Sequence, residues 1–327
     1  MGGLVFTLGY LTLAVVTVLL FTLSLLQSVH EGLVFIPIII LLILVGLVIA
    51  QINEFLVCLV RHIKGPVVLD LQDFASILLV LAGAQVTFCL SVNLDLGNVL
   101  AASLTGILAA LLLPKYAAAA YCGAFVGMSS PELFATPMFI LLAGIVAGAL
   151  FVALKTVFSN CGGKHGTIAF TGCIAVSLLM DRPFISGSVP AWDTGALLVF
   201  YSVLAALTTR LISIRLKQGP IMGSAIVGLL GSLFLPVLHP ERGGLLAVMA
   251  ICASFAGMSA PERVPNEGLI ALAGLFTALI FMFTSPYLGG AGGKLGTIAF
   301  GSVSSIQGML AVFHVLKKNI SAKLPGN

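Results

Sequence analysis

Residues 162–170 read GGKHGTIAF, and residues 292–300 read GGKLGTIAF. Eight of the nine letters agree, 130 residues apart. An apolar duplication can drift freely among Leu, Ile, Val and Ala, so apolarity alone does not account for the same glycines, lysine and threonine standing in both places. The agreement extends outward. YCGAFVGMSSPE (121–132) aligns with ICASFAGMSAPE (251–262) at the same interval, seven of twelve positions being identical. Ala143-Gly144 likewise aligns with Ala273-Gly274. Upstream, AASLTGILAALLLP ending at Pro114 aligns with GSAIVGLLGSLFLP ending at Pro236. The interval there is 122, so the second copy carries eight extra residues near HPERGG.

The setting of these phrases is strongly apolar. Hydrophobic residues make up 60% of the 327 and charged residues 8%, against about 25% charged in soluble domains. So few charges cannot cover a soluble surface, and the chain reads as an integral membrane protein whose immediate partner is the lipid bilayer. The period is not the strict alternation of a barrel strand, so the spans read as helices. Lipid offers backbone groups no partner, which also favours helices. The first stretch, 3–27, has no basic n-region and no cleavage site, and reads as a retained first span. A net charge of +4 scattered over helix ends speaks against nucleic acid. The six cysteines form no CxxC and no Cys/His spacing, so neither a metal nor another cofactor is expected.

Breaks at Pro, Gly and charge divide the chain into about twelve apolar segments: 3–27, 32–60, 72–92, 96–113, 116–128, 131–157, 166–180, 191–213, 218–236, 244–258, 264–286 and 296–316. The fold expected is therefore an all-α polytopic membrane protein. Residues 1–65 supply two N-terminal helices, 66–185 a first repeat of five segments, and 186–327 a second repeat with a short basic tail. Five is odd, so two copies written in the same direction cross the membrane in opposite senses. Such inverted repeats are the plan of many secondary transporters. With the N-terminus in the cytoplasm, strict alternation leaves twelve lysines and arginines inside, Lys64 and Lys164 among them, and only Arg182, Arg242 and Lys294 outside. That asymmetry obeys the positive-inside rule and suits a bacterial inner membrane with both termini cytoplasmic.

The matching letters fall where helices break. GMSSPE follows a short segment, and Pro131 and Pro261 stop the chain at equivalent places. Short, Gly/Pro-interrupted segments at corresponding positions of two halves point to a transport site. Gly162, Gly163, Gly292 and Gly293 can leave amides free, and Lys164 and Lys294 can add charge for an anionic or polar solute. Ser129, Ser259, Glu132 and Glu262 can offer oxygens to a cation or carry a proton. Thr167 and Thr297 open the next helices. Each has a plainer reading: the glutamates as first-turn acids, the lysines as interfacial anchors, the glycines as close-packing residues.

GMSSPELFAT (127–136) resembles the GTSxPEL phrase of cation/calcium exchangers over about seven residues per copy. That resemblance implies an inverted five-helix repeat with paired glutamates binding a cation. The following stretch departs from that family's pattern, as does Arg263 directly after Glu262. GGAGGK (289–294) is no P-loop, since no Ser or Thr follows Lys294 and no strand precedes it.

The expectation is a transporter or channel for a small polar or ionic solute, proton- or sodium-coupled, and not an enzyme. Within transport the competing class is a cation exchanger. Outside it stand an integral-membrane enzyme and a structural subunit of a membrane complex. Five scattered histidines and no HExxH argue against the enzyme. A homo-oligomer is compatible with the sequence.

Overall fold

The computed structural model describes residues 2–62 and 70–323. Lys64, one of the charges in the orientation argument, and the last four residues of the basic tail lie outside the described residues. The described chain forms twelve helices: α1 (Gly2–His30), α2 (Phe35–His62), α3 (Leu71–Phe88), α4 (Asn98–Leu112), α5 (Ala117–Gly127), α6 (Pro137–Ala153), α7 (Lys164–Leu179), α8 (Trp192–Arg210), α9 (Pro220–Leu238), α10 (Gly243–Gly257), α11 (Glu267–Thr284) and α12 (Lys294–Lys323). No strand occurs among the described residues, apart from one isolated bridge between Ile185 and Gly289.

Seven helices are long and apolar enough to cross a bilayer: α1, α2, α3, α8, α9, α11 and α12. The other five are apolar but shorter. Large apolar side chains such as Leu112, Val237 and Phe200 face outward, while Ala, Gly, Ser and Thr fill many helix contacts. Small residues inside and apolar residues outside are the pattern of helices packing in lipid. With 8% charge, this marks a helical integral membrane protein.

Local chemistry sets the helix ends. Asp70 and Asp73 form a reciprocal capping box at the start of α3: the Asp70 carboxylate accepts from the Asp73 amide at 2.8 Å, and the Asp73 carboxylate from the Asp70 amide at 3.2 Å. Pro137 and Pro220 occupy first-turn positions, where a missing N–H costs nothing. α3 and α8 each end in one π-helical turn, Cys89–Asn93 and Leu211–Arg215. Each turn leads to a residue of positive φ, Asp95 or Lys217, and then to a glycine of positive φ, Gly97 or Gly219.

Several boundaries shift by a few residues from the sequence expectation, and two of the shifts bear on the site. The segment expected from Pro131 becomes helical only at Pro137. The Ser130 amide donates to Gly290 O at 2.8 Å, and the amides of Leu133 and Phe134 turn back onto Ser130 O, so residues 130–136 form a pinned loop. The segment expected from Gly166 begins at Lys164, because left-handed Gly163 (φ +80°) turns the chain and its carbonyl accepts from the Thr167 amide.

The packing is paired. α3 lies against α5 and α6, as α8 lies against α10 and α11. α4 meets α9, and α7 meets α12. α2 runs along α12, where Gly46 and Gly308 allow backbone contact.

Candidate functional site

α5 has 11 residues, which at about 1.5 Å each span ~16 Å, half of a ~30 Å hydrocarbon core. It stops at Gly127, and α10 stops at Gly257, each four residues before its proline. The loop after α5 runs beside the loop before α12. The loop after α10 runs beside the loop before α7, where the Ala260 amide donates to Asn160 O at 3.0 Å.

The two phrases therefore bond crosswise. The Ser129 hydroxyl accepts from the Gly292 amide at 3.0 Å, and the Ser259 hydroxyl accepts from the Gly162 amide at 3.0 Å. Cys122 donates to His165 O at 3.3 Å, and Cys252 donates to Leu295 O at 3.2 Å. Each serine serves the turn of the other copy.

The glycines permit this approach. A Cβ on Gly162 would lie 2.0 Å from Phe255 O, and one on Gly292 2.2 Å from Phe125 O. Gly163 and Gly293 sit at φ +80° and +86°, a region L side chains avoid. Gly166 and Gly296 form the crossing point of α7 and α12, where a Cβ on either would meet the other's Cα at 2.5 or 2.6 Å.

Both lysines turn back to the end of the preceding helix. Lys164 Nζ donates to Leu154 O at 2.8 Å and Lys155 O at 3.4 Å. Lys294 Nζ donates to Thr284 O at 2.7 Å and to Tyr287 O. An ammonium has three donors, so these two bonds leave one on each lysine. Neither lysine has a carboxylate partner among the described residues. Glu132 and Glu262 are exposed. Thr297 bonds to Gly293 O, whereas the buried Thr167 hydroxyl has no partner among the described residues.

Two cavities flank this core. One, of about 310 Å³, is walled by Gly292, Gly293 and Lys294 together with Met128 and Ser130. The other, of about 670 Å³, is walled by Gly162, Gly163 and Lys164 together with Met258 and Glu262. Phe125 and Phe255 line both. The candidates Gly162, Gly163, Lys164 and Glu262 thus share one cavity, and Gly292, Gly293 and Lys294 the other. Ser129 and Ser259 support the turns from behind. Glu132 lies apart from both linings.

Sequence reasoning missed the phenylalanine pair, although FVGM and FAGM place both at the same spot in the aligned phrase. It also missed Arg210, buried at 5% exposure, whose guanidinium donates to Ser259 O and, at 2.9 Å, to Val264 O. Arg263, read from sequence as a departure from the exchanger pattern, pairs with Glu54 of α2 at 2.9 Å.

Fold and site together define a helical integral membrane protein with two partly open cavities lined by the ends of its short helices. Compared with known proteins, the chain matches no family model, no curated protein and no solved structure.

Proposed function

We propose that this protein carries a small polar or ionic solute across the bilayer, through the two cavities that abut at Phe125 and Phe255. One observation carries the reading. Each cavity combines the GGK turn of one sequence copy with the residues closing the short helix of the other, and the same two rings stand between them. A packed bundle with no passage would close this space with side chains.

The twelve helices are read as twelve crossings forming two inverted copies of five, after two N-terminal helices. Strict alternation supports this. It puts residues 128–136, 180–190 and 285–293 on one face, and the Ser130–Gly290 and Ile185–Gly289 backbone bonds join those segments. It puts residues 155–163 and 258–266 on the other face, joined by Ala260–Asn160 and by Arg263 donating to Ser159 O. The Arg242–Asp193 pair and the bond from Tyr287 to Gln27 fall on the first face, and the Lys155–Asp73 and Arg215–Glu267 pairs on the second. None of these contacts joins opposite faces. By the positive-inside count, the Lys164 cavity is read as opening to the cytoplasmic side of a bacterial inner membrane.

Uptake of a panel of small solutes into liposomes bearing the purified protein tests the reading. Flux above that of empty vesicles is expected, and it should be lost when Ser130→Trp or Met258→Trp fills a cavity. No flux of any solute overturns it.

A further inference from the structure

We propose that the solute is a small monovalent anion and that its binding position is the Lys164 cavity, at the N-terminus of α7. This rests on the transport reading and adds the substrate class.

The wall chemistry is one-sided. Helix α7 has 16 residues, and its first backbone bond to a preceding carbonyl is from Thr167 to Gly163 O. The amides of Lys164, His165 and Gly166 therefore lack a carbonyl four residues back. Such a terminus carries about half a positive charge. The Lys164 ammonium, 5% exposed, stands at the same wall without a carboxylate partner among the described residues. Its unit charge more than offsets the roughly half negative charge at the end of α6, which it caps. The end of α10 is compensated in the same way by Arg210 on Ser259 O.

Ser213 is the second observation. It lines this cavity, it is 5% exposed, and its hydroxyl has no partner among the described residues. A buried hydroxyl without a partner costs free energy, which a ligand acceptor would recover. The remaining charges do not reverse the sign. Lys155 is closed by Asp73 at 3.0 Å, and Glu262 is exposed. Among the described residues, the smaller cavity carries a single charged lining residue, Lys294, and no acid. A cation would meet an ammonium at both stations, with the exposed Glu262 the one acid among the described residues of either lining. Away from the exposed Glu262, which water screens, Lys164, the α7 terminus and the α6 end leave the wall with a charge near one, which matches a monovalent anion better than a divalent one.

Liposomes bearing the wild-type protein decide the class without any variant. Uptake of chloride, nitrate and formate is compared with that of sulfate, sodium, potassium and urea. The monovalent anions are expected to move, and the others to remain at the level of empty vesicles. Ser213→Ala removes a hydroxyl with no partner among the described residues, so folding is retained. It should raise the half-saturating anion concentration about fivefold, the worth of one hydrogen bond. Lys164→Gln should weaken it at least about tenfold. Flux of a cation or of urea with no anion flux overturns the anion assignment and leaves transport standing. Anion flux unaltered in Ser213→Ala overturns the binding position. No flux of any solute overturns both this inference and the reading beneath it.

Discussion

The rings of Phe125 and Phe255 stand 4.7 Å apart, centroid to centroid, with their planes at 59°. They come from the ends of the two short helices α5 and α10, and each ring faces both cavities. A Phe255→Ala substitution removes a side chain that is 1% exposed. It should cost about 3–5 kcal/mol in stability and join the two cavities. Faster solute leak, measured in liposomes alongside thermal unfolding in detergent, is the expected outcome. A leak no greater than wild type in folded protein would show that the pair is packing and not a barrier.

The crossing of α7 and α12 tolerates no side chain. Gly166→Ala would set its Cβ 2.5 Å from the Gly296 Cα, against backbone that cannot swing aside. A loss of about 3 kcal/mol or more is expected, above the usual cost of overpacking. Gly244→Ala, which has nothing within 4 Å of its added Cβ, should leave the thermal midpoint unchanged or slightly raised. Equal effects from both substitutions would contradict the crossing.

Ser129→Ala and Ser259→Ala should each lower stability by about 1–3 kcal/mol, because each leaves a buried glycine amide unpaired. The two losses should be similar, since the bonds have the same length. Thermal unfolding of the single variants checks both points.

Arg263 and Glu54 pair at 2.9 Å with side chains 23% and 11% exposed, tying the loop after α10 to α2. Removing one partner strands a largely buried charge, so Arg263→Met should cost about 3 kcal/mol. Glu54→Leu added to it should recover part of that loss, short of full recovery because Glu54 also accepts from the Phe158 amide at 2.7 Å. A double-mutant cycle reads the coupling.

Topology is open to direct labelling. Ser159 and Ser188 are exposed, and alternation through twelve crossings puts them on opposite faces. In a cysteine-free background, Ser159→Cys and Ser188→Cys should react with an impermeant thiol reagent from opposite sides of sealed vesicles. Reaction from one common side would remove the inverted arrangement.

The residues themselves show how far the sequence reaches. Composition made the chain a membrane protein, because so few charges cannot cover a soluble surface. Gly and Pro placed the breaks between twelve helices to within a few residues, since backbone propensity is local. The start of α6 was displaced to Pro137 because Ser130 is held by Gly290, a partner far away in the chain. The doubled GGK phrase was visible, and so was its coincidence with short segments.

What sequence alone determined was thus the solvent, the helices and the places where they stop, all consequences of local chemistry. Only the tertiary structure decided that each serine would cap the opposite copy's turn, across 97 and 163 residues. It also decided that the lysines would bend back onto helix ends, and that two phenylalanines would meet between two cavities. A hydrogen-bond partner is chosen by which backbones come close. Here that closeness depends on glycines of one helix facing glycines of another, a relation that exists only once the helices have packed.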